Sequence, residues 1–376
     1  MRLNLDLTPR EEISVHFNAA YSDHTLSITH TGNSAMALPF NAFRQPNNSF
    51  GSSDPKVLSQ LLDAEVGQEN QHFTTGLTLR WTPTSVLTQE LTVGLDRITS
   101  RGTQFRPLGF PLDPEGSVSD IRWSSRTVTL DYTGRLHWLD RSAGLSSTLS
   151  WGAQSIATED DKVDAFGTGF PGPGRHTLSS TADRFLFGSE SRIVTAGFFL
   201  QNLIGLGDRL FLTTGARVDG SSTFGQDLGL QVYPKVSASY VISDEGFWDD
   251  IWGTAKLRAA LGYAGRAPGA FDAVRSWSPF SFGGQPAYAP GNVGNPELGP
   301  ERTRELELGF DAAWLDGRLN AELTYYDQVT TDALFPIAQI PSLGFVGTQL
   351  ENVGEITNRG LEFTLGAQLY QGVEFG

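Results

Sequence analysis

The chain has 376 residues, with 27 Lys and Arg against 42 Asp and Glu for a net charge of -15, and 39% of it is hydrophobic. The acidic balance excludes a phosphate-tracking nucleic-acid binder or a polybasic membrane-surface protein, no run nears the roughly 18 apolar residues of a membrane helix, and the absence of Cys excludes disulfides, thiolate metal sites and a thiol nucleophile. A mean hydropathy of -0.22 would suit a soluble protein, but alternating strands hide their apolar half from such an average.

The opening decapeptide, Met1 to Arg10, is not a signal peptide, because it lacks an apolar region and Asp6 interrupts it. From there the dominant pattern is period two. Val128, Leu130, Tyr132, Leu136 and Trp138 alternate with Thr129, Asp131, Thr133, Arg135 and His137. Leu306, Leu308, Phe310 and Trp314 alternate with Glu305, Glu307 and Asp311; Leu319 and Leu323, and then Leu361, Phe363, Leu365, Ala367 and Leu369, repeat the pattern. Such alternation marks strands with one apolar and one polar face.

In chain order the pattern predicts strands over 3–7, 12–28, 71–81, 87–100, 126–138, 144–157, 192–204, 209–219, 230–242, 254–265, 302–315, 318–330 and 347–370. Many exceed the usual globular strand of about 5–6 residues and reach the roughly 9–11 that a tilted membrane strand needs. The links alternate in length. Short ones fall near Pro9, at Thr82–Thr84, at Asp140–Ser142, at Gly205–Asp208 and at Asp316–Gly317, with a middle-length one over 243–252. Longer ones cover 29–70, 101–125, 158–191, 220–229, 266–301 and 331–346. Tight turns on one rim and long loops on the other define an outer-membrane barrel. Trp81, Trp138 and Trp314 precede short turns, where indoles favour the membrane–water boundary. Within the first long link, Pro55–Glu65 is expected to form a short helix with Val57, Leu58, Leu61 and Leu62 on one face. The fold class is therefore all-β: an antiparallel transmembrane barrel, incomplete, of about 12–14 long strands, with 1–376 as one partial barrel domain.

Little here suggests catalysis, and no catalytic, cofactor or metal residue is assigned. Gly167–Gly172 matches G-x-G-x-x-G, but Pro171 and Pro173 break the helix a dinucleotide site needs, so it is expected to be loop. Glu159, Asp160, Asp161 and Asp164 lack the glycine and terminal Glu of a calcium loop and read as a solvated acidic loop. The histidines, His16, His24, His30, His72, His137 and His176, are scattered. Glu305, Glu307 and Asp311 read as lining of a wet lumen rather than a glycosidase pair.

Three stretches look like signatures. Arg217, Asp219, Gly220, Ser221, Ser222, Phe224 and Gly225 form R-x-DGSS-x-FG, followed by Tyr233–Ser239. Asn295, Pro296, Leu298, Pro300 and Glu301 form NP-x-L-x-PE. Asn352, Gly354, Glu355, Asn358, Gly360 and Glu362 fall in N-x-GEI-x-N-x-G-x-E. Together they resemble the SusC/RagA-type TonB-dependent receptors, closely over 217–370 and by strand pattern elsewhere. On their chemistry these residues build structure. Gly220 and Gly225 supply turns, Asp219, Ser221 and Ser222 can cap exposed backbone, and Gly354 and Gly360 can bend or bulge a long strand.

The resemblance implies a 22-strand outer-membrane barrel with an N-terminal plug. It further implies import of glycans or peptides, coupling to TonB, and a SusD-like lipoprotein partner; it implies no nucleic acid. Signal, plug, TonB box and last strands are expected outside this chain, leaving strand edges near Leu3–Leu7 and Asn358–Tyr370. The competing readings are a passive porin-like channel, which an upstream plug would separate, and a soluble secreted glycan-binding β-protein, which detergent-free solubility would favour.

Overall fold

The computed structural model describes residues 1–30, 34–44, 47–225, 228–345 and 347–368. Seventeen strands follow in chain order: β1 (Arg2–Arg10), β2 (Ile13–Ile28), β3 (Glu65–Thr84), β4 (Leu87–Arg106), β5 (Ser117–Asp140), β6 (Leu145–Thr168), β7 (Asp183–Leu206), β8 (Leu210–Ser221), β9 (Gln231–Val241), β10 (Thr254–Arg266), β11 (Trp277–Phe282), β12 (Gln285–Pro290), β13 (Glu301–Trp314), β14 (Leu319–Thr331), β15 (Leu334–Ala338), β16 (Thr348–Asn352) and β17 (Glu355–Ala367). Thirteen of them form one sheet in the order β1 to β10, β13, β14, β17, each strand hydrogen-bonded to its chain neighbour. All these pairings are antiparallel, and β1 and β17 are the open edges. Two small hairpins, β11–β12 and β15–β16, stand apart.

The link parity is complete. Short or middle links (11–12, 85–86, 141–144, 207–209, 242–253, 315–318) alternate with long ones (29–64, 107–116, 169–182, 222–230, 267–300, 332–354), so every long link leaves the same rim. Positive-φ residues make the tight turns: Gly144, Gly207 and Asp208, and Leu315, Asp316 and Gly317.

The register turns period two into two faces. One cross-strand row runs Leu7, Val15, Leu79, Leu91, Tyr132, Ala153, Phe198, Val218 and Val232, each the direct partner of the next. A second row on the same face runs Leu210, Tyr240, Leu257, Phe310, Leu323 and Phe363. One residue along, the other face carries Val241, Lys256, Asp311, Glu322 and Thr364. Among the described residues no second layer covers the apolar face: Leu130 is 47% exposed, and Phe198 and Phe363 are each 66% exposed. Most fully buried apolar side chains sit instead in the links, as in the cluster of Leu61, Ala64 and Phe110.

Several expectations need correction. β3 to β7 run far past their predicted ends: β5 has 24 residues where 13 were expected, because the backbone ladder continues where the face of Val128 and Leu130 turns polar at Ser124, Arg122 and Asp120 while Trp123 and Ile121 fall on the other, so the alternation no longer marks it. Glu159, Asp160, Asp161 and Asp164 are therefore in β6, not in a loop, and Gly167 and Thr168 close that strand before the turn at Gly169. Thr82–Thr84 belongs to β3, which bulges after Trp81, and the turn is 85–86. The single strand expected over 347–370 is two, β16 and β17, separated at Gly354, whose φ of 84° is open to glycine. Its expected end at residues 369–370, including Leu369 and Tyr370, lies outside the described residues. Gly360 makes no bulge; its pairing with Tyr326 is regular.

The long links also hold more structure than expected: a helix α1 (Leu38–Phe43), the hairpins, and α2 (Pro55–Ser59) continued by a 3-10 turn over Gln60–Asp63. Asp54 caps α2 by accepting from the Lys56 N–H at 2.9 Å. Leu58 and Leu61 are buried, but Leu62 is 53% exposed, since the tighter turn rotates it off the shared face.

Candidate functional site

The polar face of the sheet is wired across strands. Arg217 on β8 pairs with Asp219 two residues on at 2.6 Å and donates to Gln154 Oε1 of β6 at 3.2 Å. Gly197 on β7 makes this possible, because a Cβ there would sit 1.8 Å from Asp219 Oδ1. Lys256 and Arg258 of β10 both pair with Asp311 of β13, at 2.7 and 3.0 Å. Asn358 of β17 donates to Gln328, which donates to Glu305 at 3.0 Å. Gly360 lies beneath the Tyr326 ring, whose hydroxyl a Cβ would meet at 2.8 Å. A cavity of about 440 Å3 is lined by Phe199, Gln201, Arg217, Asp219, Tyr233 and Lys235, an aromatic and charged surface suited to polar solutes.

The first two signature stretches and the start of the third meet above this face, at the long-link rim. Ser222 follows β8 and exchanges hydrogen bonds with Val194 of β7: its N–H donates to the Val194 carbonyl and its Oγ accepts from the Val194 N–H, both at 2.9 Å. Gly225 donates to the Leu298 carbonyl at 2.9 Å, and a Cβ there would lie 1.9 Å from the Pro296 carbonyl oxygen. Leu298 is completely buried. Asn352 accepts from the Gly299 N–H at 2.7 Å and donates to the Gly299 and Asp332 carbonyls, each at 2.9 Å. Asn295 donates to the Leu350 carbonyl, and Glu301 accepts from the Leu334 N–H at 2.8 Å. The knot thus joins the link 222–230, the link 267–300 and the hairpin β15–β16.

Not every signature residue joins it. Arg217 and Asp219 lie lower, on the polar face of β8; Asn358, Gly360 and Glu362 face the same side from β17, and Glu355 begins that strand. Sequence inspection missed Asp332, Leu334 and Leu350, whose backbone groups are the partners; their side chains carry no signal. At the opposite rim, Trp81 and Trp138 are half exposed on the apolar face, and Trp248 meets Trp252 edge-on at 5.5 Å while donating to the Gly253 carbonyl.

Residues 9–376 match the family model described as TonB dependent receptor-like, beta-barrel. The chain belongs to this family. TonB-dependent receptor P26 of Formosa agariphila is 27% identical over 97% of the chain and 39% of its own length. The TonB-dependent receptor SusC of Bacteroides thetaiotaomicron is 25% identical over 43% of the chain and 17% of its own length. Among solved structures, the RagAB peptide transporter superposes with a TM-score of 0.84 at 19% identity, over 99% of this chain and 44% of that one. That likeness fixes the fold as this family's barrel. The chain spans about two fifths of the length of P26.

Proposed function

We propose that this chain is part of the transmembrane wall of a TonB-dependent importer in a bacterial outer membrane, carrying glycans or peptides. The observation that carries it is the unbroken apolar row from Leu7 to Val232, exposed on a sheet whose other face is lined by Arg217, Lys256, Asp311 and Glu322. In water such a face would aggregate. In a bilayer it contacts lipid, and the polar face lines the passage. The strand length fits: the 24 residues of β5 rise about 80 Å, or about 57 Å when tilted by about 45°, and the hydrocarbon takes about 30 Å. The upper parts of β3 to β7 therefore stand in the headgroups and beyond, which explains why their alternation fades.

The plug and the segment that engages TonB belong, on this reading, to the rest of the receptor, and a SusD-like lipoprotein sits over the long-link rim. Arg217, Asp219, Gly225, Asn295, Pro296, Leu298, Asn352 and their signature neighbours act as framework, holding the loops in place above the lumen. The test is uptake of fluorescent oligosaccharides and oligopeptides by cells expressing the full-length gene, with and without TonB. Uptake lost without TonB supports the proposal. Uptake indifferent to TonB makes the channel passive. A gene product released from membranes by alkaline carbonate sinks the membrane reading altogether.

A further inference from the structure

The apolar face does not end in neutral residues. The last apolar row on β4 to β7 is Leu95, Val128, Ala157 and Val194; the next row toward the long-link rim is Arg97, Arg126, Glu159 and Arg192. Arg97 and Arg126 are direct cross-strand partners, and two steps further up Arg101 and Arg122 are partners as well. All four guanidinium-bearing residues are exposed and point to the apolar-face side, with the hydroxyls of Thr99 and Ser124 between the two pairs.

Like charges placed opposite each other on a sheet are destabilising, and the nearby carboxylates relieve the four arginines unevenly. Asp120 is shared by Arg101 and Arg122, at 2.8 and 3.2 Å. Glu159 is shared by Arg126 and Arg192. Arg97 is in no ion pair among the described residues. Glu69, Asp161 and Glu190 lie on the same face but make no ion pair with these guanidiniums among the described residues. In these four rows from β3 to β7 five arginines thus meet five carboxylates, but on β4 and β5 themselves Asp120 is the one carboxylate among the four arginines, and Arg97 keeps no ion partner among the described residues. Far along the sheet the arrangement recurs: Asp327 of β14 is shared by Arg304 of β13 and Arg359 of β17, at 3.1 and 3.8 Å, where the apolar face ends on those strands.

We propose that Arg97, Arg101, Arg122 and Arg126 form a docking surface for the phosphorylated headgroup of an outer-leaflet lipid, whose acyl chains lie along Leu95, Val128 and Leu130 below. The inference rests on the membrane reading given above. Position selects the ligand: a guanidinium row immediately above an apolar surface meets anions that are themselves attached to hydrocarbon. Chemistry agrees, since paired guanidinium forks with adjacent hydroxyls match phosphate oxygens, and a bridging anion removes the Arg–Arg repulsion.

The test uses the full-length receptor in phosphatidylcholine nanodiscs doped with a bisphosphorylated, acylated glucosamine disaccharide, or with the same lipid stripped of phosphate. Retained lipid is counted by native mass spectrometry. The receptor should keep the phosphorylated lipid and not the stripped one, a comparison that needs no mutation. Arg97→Ala with Arg126→Ala should lower retention roughly thirtyfold, the order expected for two cations at an anionic surface, while heat-modifiable gel mobility confirms that the barrel has folded. Equal retention of both lipids, or equal retention by the double variant, overturns the proposal. A receptor that enters nanodiscs and retains neither lipid also overturns it but leaves the membrane reading intact; one that does not enter nanodiscs at all overturns both.

Discussion

Asn352 holds both backbone polar groups of Gly299, accepting from its N–H at 2.7 Å and donating to its carbonyl at 2.9 Å. One carboxamide therefore does for two links what a strand ladder does for two strands. It also reaches the Asp332 carbonyl, so three backbone groups depend on it.

Asn352→Ala leaves those groups to find water at a packed junction beside the buried Leu298 and Ala333. At about 1 kcal/mol net per hydrogen bond, the junction should lose roughly 2–3 kcal/mol. Hydrogen exchange over 295–301 and 332–352 should speed up by one to two orders of magnitude, roughly, on the same scale, with the strands of the wall unchanged. Unaltered exchange in those segments would remove the knot from the account.

The face assignment is tested at Leu308. It sits mid-strand on the apolar side, 48% exposed, with Ala259 and Tyr325 as cross-strand partners. Leu308→Arg in the full receptor should cost roughly 2–4 kcal/mol in lipid, read from reversible unfolding in guanidinium. Glu307→Gln, one residue away on the polar face, should fall within about 0.5 kcal/mol of the parent. A reversed order of the two would mean the faces are exchanged.

Gly197 and Gly262 both lie on the polar face, yet should respond differently to alanine. A Cβ at Gly197 meets the Arg217–Asp219 pair at 1.8 and 2.7 Å, whereas at Gly262 nothing lies within 4 Å. Gly197→Ala is expected to cost about 1–3 kcal/mol through forced displacement of the pair, and Gly262→Ala to be neutral or slightly stabilising. Thermal unfolding of the two variants in one detergent makes the comparison.

His30, in the link after β2, titrates below its ordinary 6.5, first because burial disfavours the charged ring and second because Arg106 repels it. A depressed pKa means the fold prefers the neutral imidazole. The stabilisation is whole above about pH 6.5 and is lost as pH falls through the lower folded value. Proteolysis within 34–64 should accelerate between pH 7.5 and 5, and His30→Phe should flatten that dependence. Identical profiles for the two proteins would remove His30 as the cause.

The wall was legible in the sequence because lipid imposes a demand on every second residue. Leu306, Leu308 and Phe310 announce their face without help from any partner. The demand ceases where strands leave the hydrocarbon, which is why Glu159 to Asp164 passed for loop although the ladder of β6 runs through them. The three signature stretches were also visible, and their glycines and asparagines pointed to turns. Their convergence was not visible, because it is written in backbone groups: the Leu298 carbonyl for Gly225, both Gly299 groups for Asn352, the Leu334 N–H for Glu301. A carbonyl carries no trace of its partner in the residue letter.

All long links emerge from one rim, and the knot fastens three of them together at their roots. Their tips can change in length and composition without disturbing the wall, but their bases cannot be exchanged singly. A graft of the 267–300 segment from this receptor into a relative would arrive without the Asn352 and Gly225 that anchor it unless the recipient already supplied both. The practical unit for transplanting these links is therefore the block from Arg217 to Glu362, moved whole.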